Sequence, residues 1–132
     1  MKDPNNPCLF CNSKKSGAVY ENELAYASYD TYPVSDGHCL IIPKRHVIDY
    51  FQLTNNELIA CNDLIKIIQK KIVIKDKQVK AFNIGTNAGK IAGQSIMHCH
   101  IHLIPRRKGD VENPQGGVRS VIPKNQHYKR KI

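Results

Sequence analysis

The sequence lacks any long apolar run. The longest stretches are a few residues, against the roughly 20 that a membrane-spanning helix requires. The start, Met1-Lys2-Asp3-Pro4-Asn5-Asn6-Pro7, has a lysine with no apolar stretch behind it, which is not the pattern of a secretory signal, so a cytoplasmic location is expected. No internal repeat and no low-complexity segment is present. Cysteines are few and odd in number: Cys8, Cys11, Cys39, Cys61 and Cys99. In a chain without a secretion signal this argues against a disulfide framework. Acidic residues are scarce, 11 against 20 Lys and Arg, which leaves a net charge of +9. Such a surplus is either a solvated basic surface or a preference for anionic ligands, phosphates above all.

What remains is enough for one globular domain. At 132 residues, with 41% hydrophobic and 23% charged residues, residues 1–132 read as a single unit with a real core and an ordinary soluble composition. The charge is uneven. From Pro105 to Ile132 there are eight Lys or Arg against Asp110 and Glu112. Residues 107–132 therefore read as a basic tail, polar and largely loop, suited to touching a polyphosphate or nucleic acid or to keeping the chain in solution.

Residues 1–16 are rich in Asn, Pro, Ser and Lys and read as a loop. Ala18–Glu21 and Leu24–Ser28 are strand candidates around a turn at Glu21-Asn22-Glu23. Asp30 to Gly37 is rich in turn residues, and His38–Pro43 is a compact apolar run that reads as a buried strand. The clear helix runs from Thr54 to about Ile74. Thr54 and Glu57 make a capping box, and Leu58, Cys61, Ile65, Ile68 and Ile72 then recur on one face. Val79–Thr86 is a further strand, Asn87–Ser95 a loop containing Gly89 and Gly93, and Met97–Pro105 the last strand. One helix with several strands predicts an α+β fold with an antiparallel sheet of about five strands.

The segment Met97-His98-Cys99-His100-Ile101-His102-Leu103-Ile104-Pro105 alternates strictly. On a strand, His98, His100 and His102 share one face at a spacing of about 6.6 Å, while Met97, Cys99, Ile101 and Leu103 face the core. Three imidazoles in one row, in a chain with six His, are hard to explain by packing. Metal ligation suits neutral imidazole. Nucleophilic and acid–base work suits a group that titrates near neutral pH. His38 and His46 stand nearby in sequence and raise the supply to two sites. Cys8 and Cys11 form a C-x-x-C pair with the spacing of a zinc knuckle. No second such pair follows, so a four-ligand zinc site would need two histidines brought in by the fold. A thioredoxin-like role would need the pair at a strand-to-helix junction, whereas it sits in a Pro- and Asn-rich loop. Coincidence is the third reading.

His98-x-His100-x-His102 followed by Leu103-Ile104-Pro105-Arg106 resembles the signature of the histidine triad (HIT) superfamily of nucleotide hydrolases and transferases. Cys8-x-x-Cys11, Gly37-His38-x-x-x-Ile42-Pro43-Lys44-x-His46 and Ala92-Gly93-Gln94-Ser95 resemble other family segments in the expected order, so the likeness covers about residues 8 to 110. It is most similar to bacterial HIT hydrolases and, through Pro105-Arg106 and Gly109-Asp110, to the fragile-histidine-triad, diadenosine polyphosphate hydrolase branch. The resemblance implies a HIT-like sheet crossed by a helix and continued across a homodimer. It implies His100 as the nucleophile at the α-phosphate, with His102 and His38 binding phosphate and stabilising charge. Asp30 matches a ribose-binding carboxylate and Asn87 a position that reaches the phosphate chain, while Ser95 and the Gly93-Gln94 backbone match the phosphate pocket. Cys8, Cys11, His46 and His98 match the one zinc site per chain of bacterial members. Read without that pattern, Asp30 is a turn former and the Gly93–Ser95 stretch an ordinary turn. Two departures stand out: the segment after Arg106, and Ser28 where some relatives place an apolar residue against the base.

The expected function is hydrolysis or nucleotidyl transfer at the α-phosphate of dinucleoside polyphosphates or nucleoside phosphoramidates, through a covalent nucleotidyl-histidine flanked by imidazolium groups. The competing reading is a zinc-stabilised nucleotide-binding module without catalysis. A DNA-end deadenylating relative would carry an extra zinc finger that nothing here resembles, so an adenosine phosphate rather than nucleic acid is the expected partner, and no membrane.

Overall fold

A computed structural model describes residues 8–131; the first seven residues of the expected N-terminal loop lie outside it. Five antiparallel strands form one sheet: β1 (Ala18–Glu21), β2 (Ala25–Tyr29), β3 (Cys39–Pro43), β4 (Val79–Gly85) and β5 (Ile101–Arg107), in the spatial order β1-β2-β3-β5-β4. One helix, α1 (Asn55–Lys75), packs on one face. Its N-terminus is closed as the sequence predicts: Thr54 Oγ1 accepts the Glu57 N–H, and Glu57 Oε1 accepts the Thr54 N–H. The buried stripe of α1 is Ala60, Cys61, Leu64, Ile68 and Ile72. Leu58 stands half exposed at its margin and Ile65 packs at its edge.

Because side chains alternate across a strand, β2 and β3 feed two cores. Ala25, Ala27, Cys39 and Ile41 pack with α1. Tyr26, Leu40 and Ile42 point the other way and pack with Phe10. Phe10 belongs to a short 3₁₀ turn, Leu9–Cys11. The Tyr26 hydroxyl donates to its carbonyl at 2.7 Å, and burial pushes that phenol up to about 12. The N-terminal C-x-x-C turn is thus seated on the sheet rather than left as loose chain.

The structure moves one predicted boundary. The last strand begins at Ile101, not Met97, and runs to Arg107. Residues 97–100 bond sideways to the segment that carries His46: the Cys99 N–H donates to the Val47 carbonyl at 2.8 Å, and the His98 ring to the Pro43 carbonyl. Met97 is accordingly exposed instead of in the core. Pro105 is tolerated in a central strand because β3 ends opposite Leu103; beyond that point Ser35 Oγ closes the edge by donating to the Pro105 carbonyl.

The basic C-terminal stretch is made of turns and loop that follow a defined path. Residues 108–131 fold back, with 3₁₀ turns at Gly117–Val121 and Pro123–Asn125, and the first of these packs on β4. The fold-back hinges on Gly116, at φ +86°; any Cβ there would collide with the Gln126 carbonyl. Arg119 donates to the Asn125 and Gln126 carbonyls, and Gln115 to that of Tyr128. Among the described residues no helix is long and apolar enough to cross a membrane.

Candidate functional site

The histidine row divides into two neighbourhoods. His98, fully buried, turns its ring toward the N-terminal turn. Its Nε2 donates to the Pro43 carbonyl at 2.8 Å, so Nδ1 carries the lone pair. Around that nitrogen lie His46 Nδ1 at 3.2 Å and the sulfurs of Cys8 and Cys11 at 3.5 Å each, while Cys11 Sγ is 3.1 Å from His46 Nδ1. Tetrahedral zinc, with Zn–S about 2.3 Å and Zn–N about 2.0–2.1 Å, needs N···N edges of about 3.3 Å and S···N edges of about 3.6 Å. The four donors therefore have the spacing and chemistry of a structural zinc site, and the Pro43 carbonyl supplies the outer contact that orients a ligating imidazole.

His100, 9% exposed, turns the other way. Its Nδ1 lies 2.8 Å from the His98 carbonyl. The proton therefore sits on Nδ1, and Nε2 keeps its lone pair. The carbonyl that holds this tautomer thus belongs to the residue whose ring serves the cysteine cluster. Phe10 packs edge-on against the His100 ring at 5.1 Å, and Thr86 Oγ1 donates to the His100 carbonyl at 2.7 Å.

His102 and His38 form a second chain of ring nitrogens. The Val34 N–H donates to His38 Nδ1 at 3.0 Å, so His38 Nε2 holds the proton and gives it to His102 Nδ1 at 2.9 Å. His102 then presents Nε2–H outward. Burial, with His100 and His38 nearby, lowers the His102 pKa to about 4, and burial lowers that of His38 despite Asp30. The expected imidazolium groups are thus replaced by neutral rings that act as directed N–H donors, because the cost of burying charge exceeds the pull of one carboxylate. Asp30 Oδ2 is 3.6 Å from His38 Nε2, and Asp30 Oδ1 accepts the Tyr32 N–H at 2.9 Å, so this side chain also forms the turn. Asp30, His38 and His102 are close enough to share a cation, but the proton on His38 Nε2 occupies the nitrogen that would have to bind it.

The loop residues separate. Asn87 lines a cavity of about 670 Å³ that also contains His102. Ser95 is exposed and borders a different recess beside Cys8 and His46. Gly93 is left-handed, φ +100°, in the turn that brings Gln94 inward. The Gln94 side chain is buried: Oε1 accepts the Gly89 N–H at 2.9 Å, and Nε2 donates to the Ile48 carbonyl at 2.6 Å. It ties the glycine loop to the segment of His46. Sequence reasoning missed Asn83 and the ion pair of Arg106 with Asp110, both in the cavity wall. The i, i+4 spacing of that pair was the available signal. It also missed Arg45, whose bidentate bond to the buried Glu57 carboxylate anchors the residue before His46 to α1.

Comparison with known proteins decides the family: the HIT domain model matches residues 12–109. The chain belongs to the HIT family. Its relatives include an adenylylsulfatase of Arabidopsis thaliana, 36% identical over 80% of this chain and 55% of that protein. They also include an adenosine 5'-monophosphoramidase of Schizosaccharomyces pombe, 33% identical over 75% of this chain and 74% of the other. A Zn-bound histidine triad family protein from Mycobacterium smegmatis has a similar structure, with TM-score 0.71 and 31% identity over 79% of this chain and 78% of that one. The HIT sheet and helix are the α+β architecture expected from the sequence.

Proposed function

We propose that this HIT protein is a nucleotide hydrolase or nucleotidyl transferase that cleaves dinucleoside polyphosphates or nucleoside phosphoramidates at the α-phosphate, with His100 as the covalent nucleophile. The observation that carries the reading is the 2.8 Å bond from His100 Nδ1 to the His98 carbonyl, which leaves a lone pair on Nε2. Relatives named for cleaving adenylyl–sulfate and adenylyl–nitrogen bonds support the reaction class.

In this reading His100 Nε2 attacks phosphorus and forms a nucleotidyl-histidine, which splits one difficult displacement into two steps. His102 Nε2–H, aligned through His38 and the Val34 N–H, donates to the phosphoryl group and leaving atom. Asp30 accepts from the ribose hydroxyls, and Asn87 and the Gly93-Gln94 backbone line the phosphate path, whereas Ser95 opens onto the recess beside Cys8 and His46. Water then attacks phosphorus and frees His100. Cys8, Cys11, His46 and His98 hold one zinc, which cross-links the N-terminal turn, the segment after β3 and the entry to β5. A homodimer pairing through β4, the open edge beside β5, fits the sheet order.

Incubation with diadenosine polyphosphate and with an adenosine phosphoramidate, followed by measurement of AMP release, tests the reading. Turnover by the wild type that His100→Ala abolishes supports it. Tight AMP binding without turnover of either substrate would establish the alternative, a zinc-stabilised nucleotide-binding module.

A further inference from the structure

One side chain touches both histidine neighbourhoods. Phe10 stands edge-on to the His98 ring, with centroids 6.1 Å apart and planes at 87°, and edge-on to the His100 ring at 5.1 Å and 70°. We propose that Phe10 is a positioning residue for the transfer step: its ring holds the His100 imidazole in the orientation from which Nε2 reaches phosphorus, and the Cys8–Cys11 turn holds Phe10 there. The inference rests on His100 being the nucleophile.

The His100 ring needs such a hold. Its bond from Nδ1 to the His98 carbonyl at 2.8 Å fixes the direction of one nitrogen. Thr86 fixes only the backbone, through the His100 carbonyl. Neither bond stops the ring from tilting about the Nδ1 contact, and a tilt there swings Nε2, the atom that attacks. Ring contacts supply the rest: Phe10, and His102 at 5.3 Å and 68°. Both lie within the span of about 4.5–7 Å at which edge-to-face ring pairs are favourable. Phe10 is 5% exposed and His100 9%, so one buried ring blocks the other in a close-packed interior.

Phe10 is itself held from several directions. Its carbonyl accepts the Tyr26 hydroxyl at 2.7 Å, and the neighbouring Leu9 carbonyl accepts the Ser16 hydroxyl at 2.7 Å. Its ring packs with Tyr26, Leu40 and Ile42. Cys8 and Cys11 stand on either side of it in the chain, and their sulfurs each lie 3.5 Å from His98 Nδ1. The turn that offers two sulfurs to the cluster therefore presents Phe10 to the nucleophile. A core position alone would be filled as well by another apolar side chain; the contact with His100 asks for a rigid ring.

The test uses the full chain and an adenosine phosphoramidate. Phe10→Leu keeps apolar bulk and removes the ring, Phe10→Tyr keeps the ring, and Ile42→Ala removes buried volume from the same cluster. Misplacing a reacting atom by about 1 Å costs on the order of a hundredfold in rate. Phe10→Leu should therefore lower kcat at least about tenfold with KM within about twofold, while Phe10→Tyr and Ile42→Ala stay within about threefold of the wild type. In the ligand-free protein at one fixed pH, histidine ¹⁵N spectra should show a single sharp His100 Nδ1–H signal, assigned by its loss in His100→Ala. That signal should broaden or split in Phe10→Leu alone. A folded Phe10→Leu with wild-type kcat, a fall in kcat with the His100 signal unmoved, or Ile42→Ala reproducing both effects overturns the role of Phe10 and leaves His100 as nucleophile. Absence of Overhauser contacts between the Phe10 and His100 rings in the wild type overturns it without any variant. Wild-type turnover that survives His100→Ala overturns the nucleophile and the positioning role together.

Discussion

His98 serves two neighbourhoods at once. Its ring supplies Nδ1 to the Cys8, Cys11 and His46 cluster, while its carbonyl accepts from His100. Two residues further on, the His102 ring is held neutral by burial, and so is His38. The unfolded chain takes up protons at these sites below about 6.5, whereas the native state holds the His102 proton off down to about 4. Their contribution to stability is therefore unaffected above about 6.5 and is lost as pH falls through that interval. The thermal midpoint of the wild type should fall more steeply from pH 7 to pH 4 than that of His102→Asn; parallel curves would contradict the buried neutral ring. At this scale the sequence was partly legible. Alternating histidines marked the site, but nothing local revealed that a carbonyl would fix the tautomer of His100 or that the neighbouring rings would be uncharged, since both depend on what the fold buries.

Elements explain why these residues meet. The helix was readable because Thr54, Glu57 and the apolar spacing all sit within one stretch of chain. The start of β5 was not, because residues 97–100 alternate like a strand yet bond to the segment after β3, a partner about 50 residues away. That segment is anchored from several sides: Arg45 grips Glu57, Gln94 holds the Ile48 carbonyl, and Val47 accepts from Cys99. Glu57 is thus both the cap of α1 and the anchor of the residue preceding His46. Replacing it with Ala should cost about 1–2 kcal/mol, the range for a lost cap that leaves polar groups unpaired, read as a lower urea midpoint with an unchanged slope. A loss near zero would mean that neither role matters.

Across the whole molecule, the N-terminal turn and the C-terminal segment cover the same sheet face and bracket the histidines between them. The turn was foreshadowed by Cys8-x-x-Cys11. The C-terminal segment was hidden, since Val111, Val118 and Val121 are scattered among glycines, polar residues and cations with no helical or strand period. If zinc joins the turn to the sheet, the wild type should hold one metal per chain, and Cys8→Ser with Cys11→Ser should lose it. The thermal midpoint should then drop by about 10 °C or more, because metal affinity for the folded state is folding free energy. Full metal content in that double variant would refute the ligand set.

The central claim is a covalent bond between His100 and the α-phosphate. Rapid quenching of the protein during turnover of an adenosine phosphoramidate, followed by peptide mass spectrometry, tests it most directly. One AMP attached at His100 is expected in the wild type and none in His100→Ala. Turnover with no adduct at any time point, or an adduct on another residue, would contradict it.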